Sequence, residues 1–181
     1  MIGSLRGKLT SKQAPAIIIE CRGVGYDVET PMSTFFELPA VGEELFLYTH
    51  LLVREDAQIL YGFATEDERS LFRTLIRVRG VGAKIGLAVL SSMNVGDFNR
   101  CIEYEDLAAL SKIPGIGRKT AERLVVEMRD RIDTSLNGGP SSVTVEKGAK
   151  SEAVDALVAL GYKPTEVNRL IGTLEIDGQS T

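Results

Sequence analysis

This sequence is poor in the residues that build metal centres and nucleophilic active sites. It contains one histidine, His50, and only two cysteines, Cys21 and Cys101. One histidine excludes multi-histidine metal sites and disfavours a serine or cysteine triad, and two cysteines are too few for a disulfide framework or a zinc cluster. We therefore expect no catalytic residue, no metal site and no cofactor, and we interpret all three side chains as structural.

The sequence also lacks a basic excess and any long apolar run. Its 21 Lys and Arg residues are outnumbered by 25 Asp and Glu residues, which gives a net charge of −4. A surface for DNA must therefore be a local patch on an acidic background. No apolar stretch approaches the ~18 residues that span a membrane, and no signal-like apolar core begins the chain. These absences predict a soluble cytoplasmic protein without membrane contacts.

Residues 1–65 have short strand-like segments separated by turn residues, and they predict a small β-barrel. Gly23-Val24-Gly25 is interpreted as a turn or bulge between two of the strands. Closing so few strands into a barrel hides their edges. An OB-like barrel fits the number of strands, and other small barrels fit it as well. The predicted strands are Met1–Leu9, Ala16–Cys21, Tyr26–Thr30, Leu45–Val53 and Ile59–Phe63.

Residues 66–134 change to a helical period and predict a compact bundle of small helices. Glu66-Asp67-Glu68 supply carboxylates for a first helical turn, where the helix dipole favours them. Apolar residues with helical spacing follow in that helix and in two later ones. This part of the chain is the least acidic, so we expect a polyanion to bind here. The apolar residues are Leu71, Leu75, Ile76, Val78, Leu87, Val89, Leu90, Ala121, Leu124, Val125 and Met128.

The remainder of the chain predicts a linker and a small third domain. Residues 135–150 include the tract Asn137-Gly-Gly-Pro-Ser-Ser142, which has no apolar face and is typical of a flexible linker. Residues 151–181 return to helical spacing, and Gly161 is placed to end the first of two short helices.

An internal duplication in the helical region is the most informative feature of the sequence. Leu75-Ile-Arg-Val-Arg-Gly-Val-Gly-Ala-Lys84 aligns with Leu110-Ser-Lys-Ile-Pro-Gly-Ile-Gly-Arg-Lys119 at a constant offset of 35 residues. In both copies one helix ends at a Gly-x-Gly turn, a second helix begins at once, and a lysine follows the second glycine by two residues. Val81 and Ile116 stand between the glycines, where each can insert into the helical bundle and hold its turn.

This duplicated pattern predicts a cradle for phosphate groups. Glycines let the backbone approach a ligand closely, and the helix that follows begins with unpaired N–H groups and the positive end of its dipole. Nearby cations add charge. Because the turns offer backbone donors and no helix face for a groove, the pattern indicates sequence-independent binding of a nucleic-acid backbone. The predicted contacts are Gly80, Val81, Gly82, Lys84, Gly115, Ile116, Gly117, Arg118, Lys119 and Arg123.

Each Gly-x-Gly could instead be only a tight connection between helices, although two copies followed by lysine favour binding. Two other glycine motifs fail on spacing. The segment Gly80–Gly86 has one residue too many for a dinucleotide fingerprint, and Gly117-Arg-Lys-Thr120 lacks the upstream glycine of an NTPase phosphate loop, since Lys112 stands there. A repair enzyme, such as a glycosylase or nuclease that uses the same turns for grip, is the alternative function.

Glu55 and Asp56 stand at the junction of two predicted strands. Adjacent carboxylates at a turn are commonly just a solvated loop. No histidine, lysine or third acid stands beside them to make a catalytic or metal site. A third interpretation is repulsion, because carboxylates on a binding face repel phosphates and restrict the path of the strands.

With these residues in place, the sequence resembles the RuvA family, the DNA-binding subunits of bacterial Holliday junction branch-migration complexes. The resemblance extends from residue 1 to about residue 172, with the motifs in the family's order. The Pro114–Leu124 motif is especially specific. The other motifs are Met1–Gly7, Gly23–Tyr26, Val53–Ala57, Tyr61–Phe63, the first hairpin and Ala159–Pro164.

The resemblance implies a multi-domain chain with an OB-fold barrel, a tandem helix-hairpin-helix domain and a small mobile helical domain. It implies a homotetramer, one or two per junction, that holds the four-way junction open and square. Glu55 and Asp56 match the family's acidic pin, which favours the repulsive interpretation. Implied partners are the RuvB ATPase motor and, as a further one, the RuvC resolvase. The third domain would contact the motor, with Leu157, Leu160, Leu170 and Ile171 as candidates beside a purely internal packing role. Because the chain closes in polar residues after Asp177, we expect this domain to be shortened.

Overall fold

The computed structural model describes residues 1–138 and residue 157. Its N-terminal part is a closed barrel in which the strands follow the order β1-β2-β3-β5-β4. Neighbouring strands are antiparallel except β3 and β5, which pair in parallel at Glu29 and Tyr61. The predicted five-stranded barrel is therefore confirmed. The strands are β1 Ser4–Gln13, β2 Ala16–Cys21, β3 Val24–Glu29, β4 Glu44–Val53 and β5 Gln58–Phe63.

The barrel closes because its first strand is long and irregular. β1 pairs with β4 through its first half and with β2 through its second, and its register against β2 shifts between Leu9 and Ser11. Such an irregularity bends a strand, which lets one strand serve both neighbours. Apolar side chains from all five strands and from the connection between β3 and β4 fill the interior. They are Leu5, Leu9, Ile17, Ile19, Val28, Leu38, Leu45, Leu47 and Leu60.

Two local features of the barrel region differ from the sequence prediction. Of the predicted turn Gly23-Val24-Gly25 only Gly23 lies in the reversal, which uses Arg22 and Gly23 at φ 51° and 87°, because β3 already begins at Val24. A helix, α1 (Met32–Glu37), also lies between β3 and β4, where no helix was predicted. Six residues are too few to show a helical period, so the sequence carries no periodic signal for it.

Helices follow the barrel, as predicted, beginning at Glu66. The last of them extends four residues into the segment predicted as the linker 135–150, and the rest of that segment lies outside the described residues. In the third region only Leu157 is described, as a helical, half-buried residue, so the candidates Leu160, Leu170 and Ile171 also lie outside. The helices are α2 Glu66–Leu75, α3 Ala83–Ser92, α4 Val95–Glu103, α5 Leu107–Ser111 and α6 Arg118–Gly138.

α2 attaches the helical region to the barrel, and residues 1–129 form one compact unit. The Phe72 ring is fully buried and lies 5.0 Å from the rings of Tyr61 and Phe63 and 5.7 Å from His50. Arg69, also on α2, donates to the Gly3 carbonyl oxygen at 2.5 Å. These contacts hold α2 against the barrel. Within the described residues, no helix is long and apolar enough to cross a membrane.

Candidate nucleic-acid interface

The first candidate turn connects α2 to α3 and is shaped by a glycine that needs a left-handed backbone. Gly80 has φ +87°, a value that L side chains adopt only with strain. The Val81 side chain is buried, and its N–H donates to the Val78 carbonyl oxygen at 3.0 Å. Gly82 then precedes the first residue of α3. Val81 therefore inserts into the protein while both glycines stay at the surface.

The second turn repeats this geometry between α5 and α6. Gly115 has φ +85°, Ile116 is buried, and the Ile116 N–H donates to the Ile113 carbonyl oxygen at 3.0 Å. Gly117 then precedes the first residue of α6. Positions 35 residues apart in the sequence thus have the same backbone conformation and burial, so we call the two turns hairpin 1 (Gly80–Gly82) and hairpin 2 (Gly115–Gly117).

α3 and α6, the helices after the two hairpins, differ at their N-termini from the other helices of this region. α2, α4 and α5 have N-terminal amides that are capped by the side chains of Thr65, Asn94 and Asp106. α3 is preceded by Gly82, which offers no capping side chain, and neither α3 nor α6 has an acidic residue in its first turn. Their first amides and the positive dipole ends are therefore left for an anion from outside.

Space for such an anion exists at the second glycine of each hairpin. A Cβ atom built on Gly82 or on Gly117 meets no atom of the described structure within 4 Å. Because a side chain would fit at both positions, internal packing does not require glycine there. The missing side chain does, however, leave the backbone open to a ligand that approaches closely.

Exposed cations surround both hairpins. Lys84 and Lys119 are exposed at equivalent positions, and Arg118 is exposed while it pairs with Glu122 at 3.1 Å. Sequence reasoning missed three further exposed cations beside the hairpins, Arg77, Arg79 and Lys112. The duplication itself held the missed pattern, since Arg77 and Lys112 are equivalent in the 35-residue alignment.

Arg123 belongs to α6 but contacts the other hairpin. Its Nη1 atom donates to the Arg79 carbonyl oxygen at 2.9 Å and lies 3.5 Å from where a Cβ on Gly80 would be. A reciprocal contact links α3 to hairpin 2, because Ile85 of α3 lies 3.4 Å from the position of a Cβ on Gly115. Each hairpin is thus contacted by the helix that follows the other one.

Glu55 and Asp56 lie apart from this arrangement, on the barrel. Both are exposed in the turn between β4 and β5, which is closed by a 2.8 Å hydrogen bond from the Arg54 N–H to the Ala57 carbonyl oxygen. Among the residues that the structure describes, no hydrogen bond or ion pair joins either carboxylate to a hairpin. The two carboxylates therefore form a separate acidic projection.

The histidine and the cysteines have structural surroundings. The His50 Nδ1 atom accepts a hydrogen bond from Arg73 Nε at 3.3 Å, and burial followed by the charge of Arg73 lowers the pKa of His50 from 6.5. Burial raises the pKa of the Cys101 thiol, and Cys21 Sγ donates to the Arg6 carbonyl oxygen at 3.2 Å. Over the described part of the chain, no cluster of three or more His, Cys, Asp or Glu residues could hold a metal ion.

Comparison with protein-family models divides the chain into three matches. Residues 1–62 match a model described as the RuvA N terminal domain, and residues 72–130 match a SAM-like helix-hairpin-helix tandem. Residues 148–181 match a model described as the RuvA C-terminal domain. The second match contains both hairpins, and the first contains Glu55 and Asp56.

Similar proteins match over nearly the whole chain, and the three described here each carry the name Holliday junction branch migration complex subunit RuvA. The protein from Thioalkalivibrio sulfidiphilus is 54% identical over 97% of this chain and 90% of its own length. The protein from Nitrosococcus oceani is 50% identical over 100% of this chain and 94% of its own length. A third, from Vibrio parahaemolyticus, is 50% identical over 96% of this chain and 91% of its own length.

Proposed function

The chain belongs to the RuvA family, and from that premise we propose that it is a non-catalytic, structure-selective DNA-binding subunit that holds a four-way Holliday junction for branch migration. The observation that supports the DNA contact is the matched pair of glycine hairpins, each followed by a helix that begins without an acidic residue and carries an exposed lysine. The glycosylase or nuclease alternative gains no support from the relatives, which are named as branch migration subunits.

The proposed grip is on phosphates and therefore independent of base sequence. The amides at the starts of α3 and α6 donate to backbone phosphates, and Lys84, Lys119 and Arg118 add charge. Arg123 contributes to the same surface beside hairpin 1. Because such binding releases counterions, ~6–10 contacts would lower the affinity ~10³–10⁵-fold between 50 and 200 mM salt.

Selectivity for the junction would come from symmetry. We assign the protein as a homotetramer, with one or two tetramers per junction, in which each subunit holds one of four equivalent arms. Four linked contacts raise the affinity for a four-armed DNA above that for a linear duplex through effective concentration. Residues 1–65 would supply the tetramer core and residues 66–134 the DNA grip.

Glu55 and Asp56 fit an acidic pin in this assembly. Both carboxylates are exposed on a short closed turn, so they project from the barrel, and no ion pair within the described residues neutralises them. Near DNA they would repel phosphates and restrict the path of the separated strands.

The energy for branch migration would come from a partner. We assign the RuvB ATPase as the motor, contacted by residues 151–181 beyond a linker at 135–150, and the RuvC resolvase as a further partner. Leu157, Leu160, Leu170 and Ile171 are the proposed motor contacts. The proposed compartment is the cytoplasm, where these partners and the DNA meet.

The non-catalytic assignment is tested by incubating the purified chain alone with labelled junction and with damaged duplex. We expect complexes with the junction and no change in either DNA on a denaturing gel. Strand cleavage or base release that co-purifies with the chain would contradict the proposal in favour of the repair-enzyme alternative.

A further inference from the structure

Three arginines occur at four-residue spacing along α2 and the segment that joins it to hairpin 1. Arg69 and Arg73 lie on α2, where side chains four residues apart are neighbours and like charges repel, and Arg77 lies two residues beyond the end of the helix at Leu75. Arg69 is compensated, because it pairs with Glu66 at 2.5 Å and donates to the Gly3 carbonyl oxygen. The other two arginines differ from it.

Arg73 and Arg77 have no carboxylate partner within the described residues. The one side-chain partner of Arg73 there is His50, whose Nδ1 atom accepts from Arg73 Nε at 3.3 Å. Arg73 is half-buried and Arg77 is exposed. In a chain with a net charge of −4, these two arginines add positive charge that no carboxylate within the described residues offsets.

His50 adds a hydrogen-bond donor to this cluster. A guanidinium group has no lone pair to offer, so the Nδ1 atom that accepts from it must be unprotonated, and the neutral ring carries its proton on Nε2. Burial and then the charges of Arg73, Arg69 and Arg77 lower the pKa of His50, which keeps the ring neutral at pH 7. Arg73 contacts His50 directly and the charge of Arg77 also acts on the ring, so three donors of the kind that bind phosphate share this region.

We propose that His50, Arg73 and Arg77 bind a phosphate group of the DNA backbone, as a contact additional to the two hairpins. This inference rests on the proposed function, because only that function identifies the phosphate as one of DNA. Arg77 lies between the end of α2 and hairpin 1, three residues before Gly80, so the cluster extends the phosphate surface of hairpin 1 toward α2. The second copy has no equivalent, because Ala108 occupies the position that corresponds to Arg73. Only the first of the two duplicated copies, the one that contains hairpin 1, therefore carries this site.

A nuclear magnetic resonance titration of His50 tests the anion site directly. As the sole histidine, His50 gives one set of imidazole signals in the full chain. Inorganic phosphate, compared with chloride at equal ionic strength, should raise the pKa of His50, because a bound anion offsets the arginine charges. Junction DNA should do the same. In the Arg73→Gln/Arg77→Gln variant, neither addition should shift that pKa further.

Salt dependence tests whether the site contributes to DNA binding. For Arg73→Gln/Arg77→Gln the slope of log affinity against log salt should become shallower by at least ~0.9 for each phosphate that the variant no longer binds. Arg100→Gln/Arg129→Gln is the matched control, since both arginines are exposed and already paired, with Asp97 and Glu105. The control should keep the wild-type slope.

The outcomes separate this inference from the function on which it rests. Unchanged slopes together with a His50 pKa that responds neither to phosphate nor to DNA would overturn the site while junction binding stands. A chain that binds no junction at low salt, yet whose His50 pKa responds to phosphate, would contradict the proposed function and retain the anion site.

Discussion

Arg123 Nη1 donates a hydrogen bond to the Arg79 carbonyl oxygen at 2.9 Å, and this contact joins α6 to hairpin 1. The two residues are 44 positions apart in the chain. Together with the approach of Ile85 to Gly115, the contact makes the two hairpins a single unit in which neither turn is held only by its own helices. A rigid pair of turns can present two sets of amides to phosphates at a fixed separation.

Arg123→Gln should therefore loosen hairpin 1 in the absence of DNA. We expect faster hydrogen exchange at the Val81 amide, which bonds within that hairpin, and little change at the Ile116 amide. The free energy of unfolding should fall by about 0.5–1 kcal/mol, since the hydrogen bond that the variant lacks is exposed. Arg118→Gln, which removes only the exposed pair with Glu122, is the control. Unchanged exchange at Val81 would assign Arg123 to phosphate contact alone.

The two glycines of each hairpin should respond differently to alanine. Gly82→Ala and Gly117→Ala add a methyl group into open space at a backbone conformation that alanine tolerates, so stability should be retained while affinity for DNA falls. Gly80→Ala places alanine at φ +87° and should cost about 1–2 kcal/mol of unfolding free energy. Thermal unfolding and junction titration of the same preparations measure both effects. Wild-type affinity in Gly82→Ala and Gly117→Ala would argue against close backbone contact.

Neutralising the acidic projection should tighten DNA binding. Glu55→Gln/Asp56→Asn removes two exposed charges without a change in side-chain size, so the loss of repulsion should raise junction affinity, most strongly at low salt. Glu44→Gln/Glu103→Gln, which removes two exposed carboxylates on β4 and α4, is the control for the change in net charge. Weaker binding by the double variant would indicate a structural or metal-binding role for the turn instead.

The lowered pKa of His50 predicts a pH dependence of stability. Between the folded pKa and the unfolded value of 6.5, the unfolded chain binds more protons, so stability rises with pH. The contribution is complete above about pH 6.5 and is lost as pH falls through the lowered folded pKa. His50→Asn offers Arg73 an amide oxygen that does not titrate. Urea unfolding from pH 5 to 8 should show a smaller pH dependence for this variant, and equal curves would contradict the assignment.

Local patterns were enough to predict the main elements. β2 begins and ends at the predicted residues, Ala16 and Cys21, because a β-branched run bounded by turn residues leaves little choice. The duplicated Gly-x-Gly pattern likewise identified both hairpins, since the positive φ of Gly80 and Gly115 is a backbone requirement that sequence records directly.

Packing between distant residues was not predictable in the same way. Phe72 was absent from the predicted apolar stripe, yet it is fully buried, because α2 is covered both by the barrel and by α3 at Gly86. One helix that packs on two sides buries neighbours such as Leu71 and Phe72 together, which a single-stripe pattern does not anticipate. The reach of Arg123 to Arg79 depends on how the two copies pack, and no spacing rule encodes it.

The most direct test is a gel-shift titration of an immobile four-way junction against a linear duplex of matching sequence, with competitor DNA and without ATP or divalent metal. The proposed function predicts strong preference for the junction, discrete complexes, and loss of binding in Lys84→Gln/Lys119→Gln, while Lys8→Gln, an exposed lysine of β1, binds as wild type. Equal affinity for both DNAs, or junction binding that survives the removal of both hairpin lysines, would contradict it.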